Sequence, residues 1–257
     1  MRAQTVTPAA GWRWLATGFA IFRRNPPILS LLVMIYWFTV VFLNILPLIG
    51  AFAASLVIPG LSVGLMQAAR NIERGQPVNI QTLYGGLREN TRTLLALGAL
   101  YLVATLAILG LSSIIDGGDL MRYMLASNRA ERAAVEDANF TLPALFVLVM
   151  LIPVLMAWWF APVLAAWHRL TLGRALFFSF VACLMNWRAF VAYGASLLIA
   201  AGLAPGLLLA VLLLIFPGAA SVISGLFMVL MALIGAPVIF ASFYASYRDI
   251  FGISEIV

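Results

Sequence analysis

The stretch from residue 189 to 244 decides the fold: AFVAYGASLLIAAGLAPGLLLAVLLLIF, then Pro217-Gly218, then AASVISGLFMVLMALIGAPVIFASFY. Neither run contains Asp, Glu, Arg or Lys. Each is longer than the about 20 apolar residues that an α-helix needs to cross a hydrocarbon core about 30 Å thick. Because proline and glycine together favour a turn, the stretch predicts two transmembrane helices joined as an antiparallel hairpin.

Four more charge-free runs precede this hairpin, at residues 28–49, 51–69, 94–115 and 142–167. The first two are separated only by a turn around Pro47 and Gly50, which predicts a second tight hairpin. The chain of 257 residues is 64% hydrophobic and 9% charged, whereas a soluble domain carries about a quarter charged residues. The sequence therefore predicts an all-α, polytopic membrane protein with six transmembrane helices in one integral domain, residues 1–257.

Composition also excludes several kinds of functional site. The single cysteine allows no disulfide framework and no CxxC metal site, and the single histidine leaves no pair for zinc or haem. No Asp, Glu, Arg or Lys lies inside the six runs. An intramembrane aspartyl protease needs two aspartates there, and an ion-coupled transporter normally needs a carboxylate, although unwound backbone carbonyls can bind sodium without one. We therefore expect no catalytic residue, no metal and no cofactor, and we predict that the protein is not an enzyme. His168, at the end of a run, is expected to be an interfacial anchor.

The fifteen basic residues are all arginines, and they are distributed unevenly about the six runs. Twelve lie before run one, after an even run or in the tail, whereas Arg122, Arg129 and Arg132 lie on the other side with five acidic residues. The positive-inside rule then places both termini in the cytoplasm. Small groups of arginine between apolar runs favour membrane lipids over nucleic acid as partners. The candidates for lipid headgroup contacts are Arg23, Arg24, Arg70, Arg74, Arg88, Arg92, Arg169, Arg174 and Arg188.

The chain also shows internal similarity. Residues 90–102 (NTRTLLALGALYL) and 186–198 (NWRAFVAYGASLL) share Asn, Arg, Ala, Gly, Ala and Leu at corresponding positions. An amphipathic stretch precedes each odd run, which is typical of a helix in the headgroup plane. We therefore predict three hairpin repeats with cytoplasmic interfacial amphipathic helices, at residues 12–74, 80–169 and 173–250. Alternatively, these stretches are the ends of tilted, overlong spans. Their apolar rows are Trp12, Leu15, Phe19 and Phe22; Ile80, Leu83, Leu87, Thr91 and Leu94; and Leu176, Phe180, Cys183 and Trp187.

Small residues and prolines recur inside the runs. Gly60 and Gly64 lie on one helix face with Ala68, and Gly202 and Gly206 lie on another; such faces pack closely, either within the bundle or in a homo-oligomer. The prolines are expected to kink or open helices; they are Pro59, Pro153, Pro162, Pro205 and Pro237. Between runs three and four, residues 120–138 predict a solvated helix over the bundle, with a docking site for a partner membrane protein as the alternative.

A family resemblance is carried by short motifs near the N-terminus. Gly11-Trp12-Arg13-Trp14, Gly18-Phe19 and Phe22-Arg23-Arg24-Asn25-Pro26, with Arg70 to Gly75 later, resemble an uncharacterised group of proteobacterial inner-membrane proteins with six spans. This group is distantly similar to YciC-like proteins and to the membrane domain of some glycerophosphodiester phosphodiesterases. The resemblance implies a bacterial inner membrane and an integral six-helix domain, and it carries over no functional residue.

Two functions remain open from the sequence. The first is a non-catalytic integral protein, such as a scaffold, an accessory subunit or a lipid-interacting membrane organiser. The alternative is a transporter or channel for a neutral or lipophilic solute, which would require the few polar side chains of the spans to converge on one cavity. Those side chains are Asn44, Gln67, Thr105, Ser112, Ser196, Ser224 and Ser242.

Overall fold

The structure is a computed structural model that describes residues 3–46, 49–126 and 139–252, and every regular element among them is helical. The first helices are α1 (Ala10–Arg24), α2 (Pro26–Asn44), α3 (Gly50–Glu73), α4 (Ile80–Gly85, followed by the 3-10 turn Gly86–Arg88), α5 (Thr91–Asp116) and α6 (Asp119–Leu125). The remaining helices are α7 (Thr141–Trp158), α8 (Ala161–Trp167), α9 (Leu172–Met185), α10 (Trp187–Leu197), α11 (Ala204–Ile215), α12 (Ala220–Leu230) and α13 (Ala236–Phe251).

Six helical segments are long and apolar enough to cross a membrane, which confirms the predicted number. We call them spans one to six: Pro26–Asn44, Gly50–Glu73, Thr91–Asp116, Thr141–Trp167, Trp187–Ile215 and Pro217–Phe251. The predicted boundaries were wrong by several residues at some ends. Span one ends at Asn44 rather than at residue 49, and span six continues to Phe251 rather than ending at 244. The charges of Arg248 and Asp249 did not end span six because both are paired.

A short helix precedes each hairpin, and each of these helices packs on an even-numbered span. Helix α4 packs on span two, α9 packs on span four, and α1 packs on span six. The first two contacts join segments that are close in sequence, but the third joins the two ends of the chain. The N-terminal helix therefore closes the bundle against the C-terminal span.

The three contacts share one backbone geometry. A methyl group added at Gly18 of α1 would lie 2.6 Å from the Val238 carbonyl oxygen and 2.8 Å from the Ser242 amide nitrogen. One added at Gly86, after α4, would lie 2.2 Å from the Gly60 oxygen and 2.5 Å from the Gly64 nitrogen. In both cases a glycine lies against the carbonyl of residue i and the amide of residue i+4 of an even-numbered span. A larger residue at this position would clash with these two backbone groups.

At the third contact a serine takes this place and breaks the span. The Ser179 hydroxyl donates to the Met156 carbonyl at 2.8 Å and accepts from the Phe160 amide at 2.9 Å. These two backbone groups, four residues apart, would otherwise pair within one helix. A side chain inserted into the helical ladder is a recognised cause of a kink, and span four is accordingly divided between α7 and α8. Pro162 follows this break, at the second residue of α8.

Prolines affect the other spans differently from one another. Pro59 and Pro153 lie inside helices that continue past them. Pro205 and Pro237 instead follow π-helical segments, Leu198–Leu203 and Met231–Gly235. Because proline has no amide hydrogen and its ring clashes with the carbonyl four residues earlier, the chain widens to a π-helix just before each of them.

The outer part of the last hairpin stands apart from the rest of the bundle. Helices α11 and α12 contain no buried residue. A methyl group added at Gly206 would meet no atom within 4 Å, and one at Gly202 would meet only Leu198 of its own segment, at 3.7 Å. The predicted close packing of this glycine face is therefore wrong within the chain, whereas Gly60 and Gly64 pack tightly on α4 and its 3-10 turn.

The predicted amphipathic rows are correct only in part. In α1, Leu15 and Phe22 are buried with Trp14, but Trp12 and Phe19 are exposed. The second row is not one helix, because α4 ends at Gly85 and α5 begins only at Thr91. The third row runs along α9, with Cys183 buried, and its last member, Trp187, is exposed at the start of α10. Contacts with the spans, and not hydropathy alone, therefore determine which face of each of these helices is buried.

Two of the predicted features lie partly outside the described residues. In the segment 120–138, the structure describes α6, which begins at Asp119 and ends at Leu125, and residues 127–138 lie outside the description. The Asp116 carboxylate accepts hydrogen bonds from the Gly118 and Leu120 amides at 2.9 and 2.7 Å, so it forms the turn before α6. Pro47, in the predicted first turn, also lies outside the described residues.

Candidate functional site

Polar side chains meet at one end of the bundle, and Glu73, the last residue of α3, joins three helices there. Its carboxylate pairs with the Arg248 guanidinium and accepts a hydrogen bond from the Tyr244 hydroxyl at 2.8 Å. The Arg24 guanidinium donates to the Glu73 backbone carbonyl. Helices α1, α3 and α13 are therefore tied together where α1 and the two spans end. We call this the arginine-rich end.

Two asparagines at corresponding positions of the internal similarity fix the starts of spans three and five at the same end. The Asn90 amide donates to the carbonyls of Ala165 and Leu170 at 2.9 and 3.2 Å. Asn186 accepts from the Val6 amide at 2.8 Å and donates to the Gln4 carbonyl at 3.0 Å. Each asparagine thus pins an odd span to a neighbouring segment by two long-range hydrogen bonds, although the repeat itself stays a prediction.

An aromatic and cationic layer lies beside this polar cluster. The Arg70 guanidinium stacks on the Trp167 ring at 4.9 Å, and the Trp167 and Tyr247 ring centroids are 5.1 Å apart. The His168 Nε2 atom lies 2.6 Å from the Tyr247 hydroxyl oxygen. Burial, with nearby positive charge that includes Arg70, lowers the pKa of His168. His168, which was predicted to be an interfacial anchor, therefore also makes a specific contact with span six.

The nine arginines proposed for lipid contacts do not share one environment. Arg70 is half-buried, and the other eight have exposed side chains. Arg23 and Arg188 lie over aromatic rings of their own helices, Phe19 at 5.9 Å and Trp187 at 5.4 Å. Arg169 has a backbone φ of 50°, a left-handed conformation that a non-glycine residue rarely adopts. The exposed guanidinium groups can reach headgroup phosphates without breaking an ion pair among the described residues.

A cavity of about 410 Å³ lies between spans two, three, four and six. This volume lies within the range of about 300–1,000 Å³ that is typical of small-molecule sites. Along α3 the lining runs from Ala51 to Met66, about 22 Å at 1.5 Å per residue. Aromatic side chains dominate the rest of the wall; they are Tyr101, Trp158, Trp159, Phe240 and Phe243. Leu155, also in the wall, is 45% exposed, so the cavity reaches the outer face of the bundle.

Most of the polar side chains in the wall bond to their own helices. Asn44 donates to the Val40 carbonyl, and Ser55, Ser62 and Thr105 likewise donate to carbonyls one turn earlier, all at 2.8–2.9 Å. The Trp159 indole nitrogen is buried and has no hydrogen-bond partner among the described residues, and the Trp159 ring contacts the rings of Phe190, Tyr193 and Phe243. The cavity therefore offers an apolar and aromatic surface with few polar groups free to bind a ligand.

The polar side chains predicted for a transport path do not converge. Of the seven side chains that were predicted for such a path, only Asn44 and Thr105 line the cavity. Ser112, Ser196 and Ser242 donate to carbonyls of their own helices, and Gln67 donates to Asn71. Ser224 lies on the exposed outer part of span six. The arrangement thus lacks the shared polar path on which the transporter hypothesis depended.

Comparison with known proteins agrees with this architecture. Residues 45–117 match a family described as predicted integral membrane protein, DUF2189. A probable inner membrane protein of Burkholderia thailandensis is 35% identical over 261 residues, which cover 99% of this chain and 96% of that protein. The chain belongs to the same family as this probable inner membrane protein. No solved structure matches this chain.

The segment that matches the DUF2189 family includes much of the candidate site. It contains spans two and three with α4 between them, and therefore the close packing of Gly60 and Gly64 and two walls of the cavity. The likeness to an inner membrane protein and the six apolar helices together make this chain an integral inner-membrane protein. The YciC-like and phosphodiesterase resemblances find no support in these matches.

Proposed function

We propose that this protein is a non-catalytic, lipid-interacting component of the inner membrane, a scaffold or an accessory subunit, with both termini in the cytoplasm. The observation that carries the proposal is the exposure of eight candidate arginines on segments that meet at one end of a six-span bundle. Each arginine near an anionic membrane surface contributes about 1 kcal/mol to attraction. Together, the exposed arginines favour phosphatidylglycerol or cardiolipin around this end.

The orientation follows from the same charge distribution. The arginine-rich end contains the exposed Arg74, Arg88, Arg92, Arg174 and Arg188. The other end contains Arg122, which pairs with Asp119 at 3.2 Å. The positive-inside rule relates such an asymmetry to a cytoplasmic arginine-rich end. Labelling of single cysteines placed near residue 5 and near residue 118 with a membrane-impermeant reagent in intact cells tests this orientation; reaction at residue 5 would contradict it.

A lipid-composition measurement tests the lipid function. The variant Arg88→Gln, Arg92→Gln, Arg174→Gln, Arg188→Gln removes four exposed charges, and none of these side chains forms an ion pair among the described residues. We expect less phosphatidylglycerol and cardiolipin to co-purify in mild detergent, with unchanged folding. Arg122→Gln is the control, because it removes one charge from the opposite end. An unchanged lipid profile in the fourfold variant would contradict the proposal.

The transporter alternative is supported only by the cavity. Its lining is apolar and aromatic, so a lipophilic molecule is the only kind of solute that it suits. The YciC-like and phosphodiesterase resemblance stays a hypothesis that rests on the N-terminal motifs and implies the same six-span class. We place the lipid-interacting function first because the exposed arginines are numerous, whereas the polar groups of the spans are mostly satisfied internally.

A further inference from the structure

We propose, resting on the lipid-interacting function above, that the cavity and Arg70 together form one defined site for an anionic phospholipid. One acyl chain lies in the cavity, and Arg70 binds the phosphate.

The register of α3 aligns Arg70 with the cavity. Ser55, Pro59, Ser62 and Met66 line the cavity, and their spacings of four, three and four residues place them on one face of the helix. Arg70 is four residues beyond Met66 and so continues the same stripe. It is also the last stripe residue before the helix ends at Glu73. The face of α3 that lines the cavity therefore continues to Arg70, one turn beyond the last lining residue.

On two other helices, a residue that lines the cavity is likewise followed, one turn later, by a residue of the layer that contains Arg70. On α8, Val163 lines the cavity and Trp167 follows one turn later. On α13, Phe243 lines the cavity and Tyr247 follows one turn later. Trp167 contacts both of the others: the Arg70 guanidinium lies over its ring, and the Tyr247 ring meets it edge to face. Amphipathic aromatic rings of this kind are enriched where a membrane meets water.

The charge of Arg70 is available for a phosphate. No carboxylate lies within 4 Å of its guanidinium among the residues that the structure describes, whereas Arg248 has two such partners. Arg70 is the only half-buried member of the nine candidate arginines, and Trp167 holds it in place. A charge that is partly desolvated and already oriented binds phosphate more strongly than a mobile exposed one.

The dimensions and the opening suit an acyl chain. Half of a hydrocarbon core is about 15 Å, and the eleven residue steps from Pro59 to Arg70 rise about 16.5 Å. A lipid in the leaflet of the arginine-rich end therefore places its phosphate at Arg70 and its chain along Met66 and Ser62. The acyl chain can enter from the side, between spans four and six. The Trp159 and Phe243 ring centroids are 4.9 Å apart, but beyond this contact the outer part of span four does not pack on span six as a helix pair.

Native mass spectrometry of the full-length protein tests the headgroup half of the site. The protein is released from nanodiscs that contain equal amounts of phosphatidylglycerol and phosphatidylcholine. We expect one retained phosphatidylglycerol, and about fivefold weaker binding and hence lower occupancy in Arg70→Gln, because the about 1 kcal/mol of one arginine–headgroup contact is a factor of about five in the binding constant. The control Arg13→Gln removes an exposed arginine that neither lines the cavity nor belongs to the nine candidates, and it should retain the lipid. Equal retention of both lipids, or an unchanged occupancy in Arg70→Gln, would overturn the proposal.

Two adjacent residues of span three test the chain half of the site. Leu102 lines the cavity, whereas Val103 is 60% exposed on the outer face. Leu102→Trp should expel the retained lipid because the indole fills the space of the chain, and Val103→Trp should not. A lipid retained equally by both variants would overturn the proposal. Unchanged general phosphatidylglycerol enrichment in the exposed-arginine variant, with this single lipid still bound, would contradict the proposed function and not this site.

A measurement on the unaltered protein avoids any effect of substitution on folding. Trp158 and Trp159 line the cavity, and brominated acyl chains quench tryptophan fluorescence at short range. In bilayers of both lipids, bromination of the phosphatidylglycerol chains should quench more than bromination of the same fraction of phosphatidylcholine. The exposed-arginine variant, in which general phosphatidylglycerol enrichment is reduced, is the control for quenching of the exposed tryptophans, and the difference between the two lipids should persist in it. Equal quenching by the two lipids would overturn the proposal.

Discussion

The indole Nε1 of Trp14 donates a hydrogen bond to the Asp249 carboxylate at 3.0 Å, across 235 residues of sequence. Beside it, the Gln4 amide donates to the Ile250 carbonyl at 2.7 Å. These contacts join α1 to the end of α13, and the Gly18 contact joins the same two helices further along. The two ends of the chain therefore form one packed unit at the arginine-rich end.

Replacing Trp14 with phenylalanine should destabilise the protein. The ring remains to pack against Phe190 and Tyr193, but the donor to a charged acceptor is lost, which costs about 1.5–3 kcal/mol. A lower midpoint of thermal unfolding in detergent, monitored by circular dichroism, checks this. Trp12→Phe is the control because Trp12 is 57% exposed. Equal midpoints for the two variants would show that the hydrogen bond does not hold α1 in place.

A methyl group at Gly64 should disrupt the packing of α4 on span two. The added carbon would lie 1.9 Å from the Leu83 carbonyl oxygen, so Gly64→Ala must displace the backbone of α4. The matched variant Gly194→Ala meets nothing within 4 Å and should be neutral or slightly stabilising, since alanine favours a helix by about 1 kcal/mol over glycine. Protease sensitivity of the segment after Arg74 measures the difference, and equal sensitivity would argue against the tight contact.

Removing the Ser179 hydroxyl should act on span four. Ser179→Ala leaves the Met156 carbonyl and the Phe160 amide without their present partner, at a cost of about 1–3 kcal/mol unless the helix straightens. Hydrogen exchange at Phe160 should become faster in the first case and slower in the second. Ser246→Ala is the control, because this buried serine only donates to Phe243 of its own helix. Unchanged exchange at Phe160 would contradict the inserted hydroxyl.

Stability should depend on pH through His168. Its pKa is lowered in the folded protein, so the neutral form is favoured by folding. This contribution is fully present above the unfolded pKa of about 6.5 and is lost as the pH falls through the folded pKa, because the unfolded chain takes up the proton more readily. We expect the unfolding midpoint to fall between pH 7 and pH 5, with a smaller fall in His168→Gln. Identical pH profiles for the two proteins would refute this.

Local features of the sequence predicted the membrane class and the six spans well, because each span is a continuous apolar run that needs no knowledge of its neighbours. The ends were less predictable. The charges of Arg248 and Asp249 indicated the end of span six. However, α13 includes both residues, because Arg248 pairs with Glu73 and Asp249 accepts a hydrogen bond from Trp14. The break in span four was attributed to proline, whereas the serine that enters the backbone ladder is on another helix.

The sequence by itself determined that hydrocarbon surrounds six helices and that the arginines gather at alternate helix ends, since hydropathy and charge are properties of each segment alone. Only the tertiary structure decided that α1 closes the bundle on α13, that Gly64 is packed while Gly206 is open, and that a cavity lies along one face of α3. These relationships depend on distances between segments far apart in the chain. A helical register specifies which residues share a face, but it does not specify what that face meets.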